Sequence, residues 1–188
     1  MTSRLRVEGY AIVSAEGMIA TGDGTHPPAL TNPADQRFFH GALDEAAVVV
    51  HGRYSHEGGP RASLRKRLIV TRRTADLAPH PKHDKGLLWN PAGASFEAAC
   101  AALGVSEGLA AIIGGTDVFG LFLPRYDAFH LTRANKAHLP DGRPVFPDVP
   151  ARTPEDLMTA HGLRPETTRV LDAATDVTLT AWTRPGGS

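Results

Sequence analysis

Short apolar runs alternate with helical patterns along most of the chain, and this alternation limits the possible folds more than any other feature. Continuous apolar runs such as AAVVVHG are typical of strands buried on both faces, whereas DVTLTAWTR alternates as in a strand with one exposed face. Repeated strand–helix–strand order predicts an α/β domain spanning 1–188, with a mostly parallel sheet covered on both faces. The predicted strands are 10–15, 46–52, 67–71, 86–89, 109–115, 126–134 and 176–184, and the predicted helices are 33–43, 95–103 and 116–123.

Charge and cysteine content argue against several kinds of partner. Lysine plus arginine and aspartate plus glutamate number 20 each, so no net field favours nucleic acid or an anionic membrane. The longest apolar runs are too short to cross a bilayer, and the N-terminal stretch lacks the apolar core of a signal peptide. Cys100 is the only cysteine, which excludes an intrachain disulfide. We expect a cytoplasmic protein with no nucleic-acid or membrane partner, either a monomer or a homodimer.

The stretch LTNPADQRFFHGAL, residues 30–43, begins with the residues of a helix start. Asn32 is a suitable N-cap and Pro33 fits the first helical position. Residues three and four apart share a helix face, so Asp35 is predicted to lie near Phe38 and Phe39. An acid in a first turn is common because it favours the helix dipole, so a purely structural role remains open on local sequence alone.

Two turns after predicted strands have residues suited to phosphate. Glycines let the backbone approach a ligand closely, and arginine, serine and threonine donate hydrogen bonds to phosphate oxygens. Neither turn has the G-x-G-x-x-G fingerprint, so each is equally consistent with an ordinary strand-to-helix turn. These residues are Gly52, Arg53 and Ser55 in VVVHGRYSHE, and Gly114, Gly115 and Thr116 in AIIGGTDVF.

An arginine pair follows the strand RLIVT. Arg72 is placed where it could hold a further phosphate, such as the 2′-phosphate of NADPH, although arginine pairs are more often solvated. The histidines His80 and His83 lack a convincing third ligand, so no metal site is predicted.

Taken together, these segments resemble the dihydrofolate reductase family, including the branch with the reductase domain of riboflavin biosynthesis. The matching segments come in the family's order and are YAIVSAEGMIA, NPADQRFF, VVVHGRYSHE, LRKRLIVTRR, AIIGGTDVFGLFLPRYDAFHLTRA and DGRPVFPDV. The resemblance implies a dihydrofolate reductase-like three-layer sandwich. Its central, mostly parallel sheet would have about eight strands, helices on both faces and an antiparallel C-terminal strand.

The resemblance also implies roles for residues around a substrate. Asp35 matches the single active-site carboxylate, which binds the amino group and ring nitrogen of a pterin, and Thr132 matches the threonine that holds this carboxylate. Ile12 and Phe39 match residues that contact the substrate. Arg65 matches the arginine that binds the α-carboxylate of the folate glutamate tail, although it could instead hold a phosphate.

For the cofactor, the resemblance implies NADPH rather than NADH, since Arg72 matches the position that recognises the 2′-phosphate. The implied cofactor-binding residues are Ala11, Ile19, Ala20, Gly52, Arg53, Tyr54, Ser55, Thr71, Arg72, Ile113, Gly114, Gly115, Thr116, Asp117, Val118 and Phe119.

The implied activity is the NADPH-dependent reduction of 7,8-dihydrofolate to tetrahydrofolate, by hydride transfer to C6 with a proton reaching N5. This reaction would place the protein in one-carbon metabolism. Two alternatives stay open. One is the reduction of a pyrimidine or other heterocycle, as in riboflavin biosynthesis, and the other is non-catalytic binding of a pterin or nucleotide.

Overall fold

The computed structural model describes residues 4–55 and 58–186, which form a large sheet flanked by helices. His56 and Glu57, the end of the predicted VVVHGRYSHE turn, lie outside the described residues. The strands are β1 (Leu5–Val13), β2 (Met18–Ala20), β3 (Ala46–Gly52), β4 (Arg67–Val70), β5 (Leu77–Pro79), β6 (Gly86–Trp89), β7 (Gly108–Ile112), β8 (Ala128–Ala134), β9 (Arg143–Pro144), β10 (Arg164–Pro165), β11 (Arg169–Asp172) and β12 (Val177–Thr183). The α-helices are α1 (Pro33–Glu45), α2 (Phe96–Ala102), α3 (Thr116–Phe122) and α4 (Pro154–Ala160), and 3₁₀ turns cover Pro28–Leu30 and Ala62–Leu64.

Within residues 4–55 and 58–186, ten strands form the main sheet, in the order β10-β12-β8-β1-β7-β3-β4-β6-β5 with β11 paired to β12. The six strands from β8 to β6 run parallel. At one edge β12 runs antiparallel to β8, and at the other β5 runs antiparallel to β6. Strands β2 and β9 form a separate two-stranded antiparallel sheet. The predicted mostly parallel sheet with an antiparallel C-terminal strand is confirmed.

Alternating side chains of β3 explain why both faces of the sheet are covered. Val48 and Val50 are fully buried in the cluster that includes the apolar residues of α2, α3 and α4. Val49, between them, is buried in a second cluster with Leu43 and its neighbours on α1. Successive strand residues point to opposite faces, so a run of valines needs an apolar layer on each side. The predicted three-layer sandwich is therefore confirmed.

Several elements were not predicted from the sequence. Helix α4 lies in a proline-rich segment for which no helix was predicted. The Thr153 side chain caps it by accepting from the Asp156 N–H, and Pro154 occupies its first turn. Strand β1 begins at Leu5 rather than 10, because its first half pairs with β7. The short strands β2, β5, β9, β10 and β11 have two to four residues each, too few for a periodicity to show.

No helix within the described part of the chain has both the length and the apolar character needed to cross a bilayer.

Candidate active site

A cleft of about 380 Å³ opens near the carboxyl ends of β1, β3, β7 and β8. In a parallel sheet this edge is where ligands bind. Besides strand residues, its walls come from α1, the loop before α1 and the turns after β3 and β7. The lining residues are Tyr10, Ala11, Ile12, Ile19, Ala20, Gly24, His26, Leu30, Asp35, Gln36, Phe38, Phe39, His40, Tyr54, Ser55, Gly58, Ile113, Gly115, Phe119, His130 and Thr132.

The predicted N-cap fixes the start of α1 and thereby places Asp35. The Asn32 side-chain oxygen accepts from the N–H groups of Ala34 and Asp35, at 2.9 and 3.2 Å. Its amide nitrogen donates to Asp172, at 3.0 Å, which ties the helix start to the end of β11. A cap held from both sides leaves the first turn little freedom. The Asp35 side chain is thereby held in the cleft, with its backbone already bonded to the cap.

Asp35 is an acid in a poorly solvated position. Burial raises its pKa above the ordinary value, because the charged carboxylate loses solvation. A hydrogen bond with the Thr132 side chain opposes this shift of the pKa, and so do the nearby imidazoles of His26 and His40. Burial is the largest of these effects. The neighbours of Asp35 therefore compensate its charge only in part, which leaves the carboxylate able to bind a cationic ligand.

Apolar side chains form the walls near this acid. Ile12 and Thr132 are register partners on β1 and β8, so both belong to the floor of the cleft beside Asp35. Phe39 lies one helical turn beyond Asp35 and lines the same space. A carboxylate among apolar walls can bind a flat, protonated nitrogen heterocycle by paired charge-assisted hydrogen bonds.

The two glycine turns predicted to bind phosphate meet at one end of the cleft. The Gly52 N–H donates to the Gly114 carbonyl at 2.7 Å. Gly114 has a φ of +109°, and a Cβ there would lie 2.8 Å from the Phe119 ring. A Cβ on Gly115 would lie 3.1 Å from the Ser55 hydroxyl. Glycine is therefore what allows these turns to pack this closely against each other and against Phe119.

Twelve of the predicted site residues line the cleft. They are Ala11, Ile12, Ile19, Ala20, Asp35, Phe39, Tyr54, Ser55, Ile113, Gly115, Phe119 and Thr132. Gly52 and Gly114 lie in the adjoining turns, as described above. Val118 is buried in the core, and the Thr116 hydroxyl donates to the Pro144 carbonyl. Asp117 and Arg53 are exposed, and the Arg53 guanidinium lies 4.9 Å from the centre of the Tyr54 ring. Thr71 and Arg72 follow β4 outside the lining, Thr71 buried and Arg72 exposed.

Arg65 does not line the cleft. Its guanidinium donates to the Asp44 carboxylate at 2.6 Å and to the Leu43 carbonyl at 3.2 Å, near the end of α1. Only 8% of its side chain is exposed. In this conformation the guanidinium is engaged by the protein itself, so its predicted contact with a substrate remains a prediction.

Nine of the described residues that line the cleft were not among the predicted site residues: Tyr10, Gly24, His26, Leu30, Gln36, Phe38, His40, Gly58 and His130. Tyr10 and His130 are register partners two positions before Ile12 and Thr132 on β1 and β8. Side chains two apart on a strand share a face, so placing Ile12 and Thr132 in the site also predicts that Tyr10 and His130 face it.

Comparisons with known proteins agree on the architecture. A "Putative riboflavin biosynthesis protein" from Shewanella sp. PV-4 superposes with a TM-score of 0.68 at 18% identity, over 95% of this chain and 98% of its own. Dihydrofolate reductase from Enterococcus faecalis, in complex with NADP(H) and RAB-propyl, gives 0.65 at 19% identity, over 96% of each chain.

A longer protein from Thermotoga maritima is also similar. It is a diaminohydroxyphosphoribosylaminopyrimidine deaminase/5-amino-6-(5-phosphoribosylamino)uracil reductase, with a TM-score of 0.64 at 16% identity. The match covers 96% of this chain and 57% of that one. This chain has the dihydrofolate reductase-like fold. No protein-family model matches the sequence, and no curated protein matches it.

Proposed function

We propose that this protein is an NADPH-dependent reductase of a planar nitrogen heterocycle, with 7,8-dihydrofolate as the first candidate substrate. The observation that carries the proposal is the position of Asp35. This acid is desolvated, only partly compensated by Thr132, and lies in a cleft that also contains two facing glycine turns. The presence of NADP(H) in the similar E. faecalis enzyme supports the choice of cofactor.

The glycine turns fit a dinucleotide cofactor because side chains there would fill the space that its phosphates need. Gly115 faces the Ser55 hydroxyl, and Gly52 faces the Gly114–Gly115 backbone, so the two turns together can offer hydroxyl and backbone donors to an anion. Ile19, Ala20 and Phe119 would hold the nicotinamide end, since they line the same cleft. When bound, NADPH supplies the hydride.

Asp35 would orient the heterocycle. Its carboxylate accepts two hydrogen bonds from the amino group and ring nitrogen of the substrate, and this contact favours the protonated ring. The proton on the reduced nitrogen would then come from solvent, with the carboxylate acting through the ring rather than by direct transfer. Phe39 and Ile12 exclude water from one face, which strengthens the ionic contact.

A second candidate substrate is a phosphate-bearing pyrimidine of the kind named for the T. maritima enzyme. The observation that favours it is the engagement of Arg65 by Asp44 and Leu43, because a folate substrate would need that guanidinium for its glutamate tail. A pyrimidine without such a tail leaves this ion pair undisturbed.

Following NADPH oxidation with dihydrofolate present, together with thermal shift by a 2,4-diaminopteridine, tests the proposal. Turnover and a stabilising shift are expected for a dihydrofolate reductase. NADPH binding with neither turnover nor a diaminopteridine shift favours the pyrimidine substrate. Binding of both ligands without oxidation of NADPH would contradict catalysis and support a binding protein.

A further inference from the structure

A second polar group lies at the cleft, where Tyr10 and His130 precede Ile12 and Thr132 by two positions on β1 and β8. The Tyr10 hydroxyl donates to Glu8 at 2.7 Å, and His130 Nε2 bonds to the same carboxylate oxygen at 2.9 Å. The rings of Tyr10 and His130 stack, with centroids 4.7 Å apart and an angle of 12°. Arg6 bonds to the other carboxylate oxygen. Nothing in the proposed reaction uses this group.

These contacts fix which nitrogen of His130 carries a hydrogen. Glu8 has its pKa lowered to about 2, because hydrogen bonds from His130, Tyr10 and Arg6 outweigh the effect of burial. A carboxylate is only an acceptor, so His130 Nε2 must be the donor. Nδ1 therefore carries a lone pair in the neutral ring and a second N–H in the protonated ring, as in other carboxylate-oriented histidines.

Phe38 connects this histidine to an arginine at the edge of the sheet. The Phe38 ring lies 5.4 Å from the His130 ring, edge to face, and the Arg169 guanidinium lies 5.5 Å from the same Phe38 ring. One wall of the cleft is thus flanked by a residue that can become cationic and by one that always is. Arg6 offsets the charge of Glu8, and Tyr10 and His130 donate to its carboxylate, so its repulsion of an anion is reduced.

We propose that His130, oriented by Glu8 and Tyr10, is a specificity-determining residue that binds an anionic substituent of the substrate, a carboxylate or a phosphate. This inference rests on the proposed function, because the heterocycle held by Asp35 is what carries the substituent. His130 lies two positions before Thr132 on β8, so the anion would lie about 7 Å from the acid-binding end of the ring.

Other charged and titratable groups lie near His130, and their effects on anion binding must be distinguished from that of His130. Glu8 and Tyr10 reach it from β1, and Arg169 approaches from β11 through Phe38. The neighbouring β12 residue in register is Ala181, which carries no charge. Asp35, His26 and His40 line other parts of the cleft. A variant that changes His130 alone is therefore the required comparison.

The test uses His130→Gln, in which an amide keeps a hydrogen bond to Glu8 but cannot become a cation. His138→Gln is the matched control, since His138 forms a similar pair with Glu16, at 2.8 Å, outside the cleft. Binding of ribose 5-phosphate and of p-aminobenzoylglutamate is measured by calorimetry from pH 5.5 to about 8, with ribose as the neutral probe. The range spans the ordinary pKa of histidine.

For at least one anionic probe, we expect binding to strengthen as the pH falls, and His130→Gln to weaken it about tenfold at the acidic end. His138→Gln and the ribose measurements should be unchanged. The probe that responds identifies a phosphate or a carboxylate as the substituent. Equal affinity and equal pH dependence in wild type and His130→Gln, or no His130-dependent binding of either anion, would overturn the proposal.

A measurement without substitution covers the case in which His130→Gln does not fold. The ring signals of His130 in NMR should shift on adding the responding anion. Failure of this inference and of the proposed function are distinguishable. If NADPH turnover depends on Asp35 but anion binding does not depend on His130, only the proposed anion-binding role of His130 is wrong. If anion binding depends on His130 but NADPH is not oxidised, only the proposed reductase activity is wrong.

Discussion

Two acids near one cleft have opposite environments: Asp35 lines the cleft, whereas Glu8 bonds to the lining residues Tyr10 and His130. Glu8 receives hydrogen bonds from a tyrosine, a histidine and an arginine, and its pKa is lowered to about 2. Asp35 has a hydrogen bond with Thr132 and two imidazoles nearby, and burial nevertheless raises its pKa. Both lie on or beside the same pair of strands, β1 and β8.

This contrast separates a carboxylate that serves the fold from one that is available to a ligand. A buried charge with enough partners stabilises the native state, and one with too few destabilises it until a partner binds. Perturbed acids of the second kind are typical of functional sites. We infer that Glu8 orders its neighbours, whereas Asp35 gains its missing partners from the substrate.

The largest expected effect concerns turnover. Asp35→Asn should reduce kcat/KM for the true substrate by at least about 100-fold at neutral pH, because the charge-assisted contact to the ring is lost. Steady-state kinetics of NADPH oxidation measures this. Glu8→Gln is the comparison variant and should retain far more activity. Equal losses in the two variants would remove the distinction between the acids.

A smaller effect concerns the stability contributed by Glu8. Glu8→Gln should lower the free energy of unfolding by about 3 kcal/mol at pH 7, because three donors lose an ionised acceptor. Since the folded pKa is depressed, this contribution is complete above 4.5 and is lost as pH falls towards 2. Denaturant unfolding at pH 7 and near pH 2.5 tests it. If Glu8→Gln lowers the free energy of unfolding equally at both pH values, the ionised Glu8 carboxylate is not the source of this stability.

The smallest effect has the opposite sign. Asp35 has a raised pKa, so its charged form destabilises the folded protein, and this cost is present at neutral pH and absent well below the unfolded pKa of 3.8. Asp35→Asn should therefore raise the melting temperature at pH 7 by about 2–4 °C. Calorimetry at pH 7 and pH 3 measures the change. A lower melting temperature at pH 7 would show that the carboxylate is a structural partner.

Most of the sheet and the Asp35 end of the cleft could be predicted from the sequence. The capping residues Asn32 and Pro33 act locally, and the valine run of β3 needs only a buried sheet, so both features are readable in short windows. The order of the motifs then placed Thr132, Ile12 and Phe39 together, as the structure shows.

The Glu8 group was not predicted because it depends on register between distant strands. Glu8 and His130 are separated by more than a hundred residues, and only the pairing of Tyr10 with His130 shows that they meet. The engagement of Arg65 by Asp44 was missed for a related reason, since the end of α1 and the turn before β4 come together only in the folded protein. Side-chain chemistry alone does not fix such contacts.

The most direct test is a pH titration of the Asp35 carboxyl by ¹³C NMR, in the free protein and with a 2,4-diaminopteridine bound in the presence of NADPH. We expect a pKa above 3.8 in the free protein and a marked fall on binding, because a cationic ring supplies the missing partners. A pKa at or below the ordinary value in the free protein, with no response to the ligand, would contradict it.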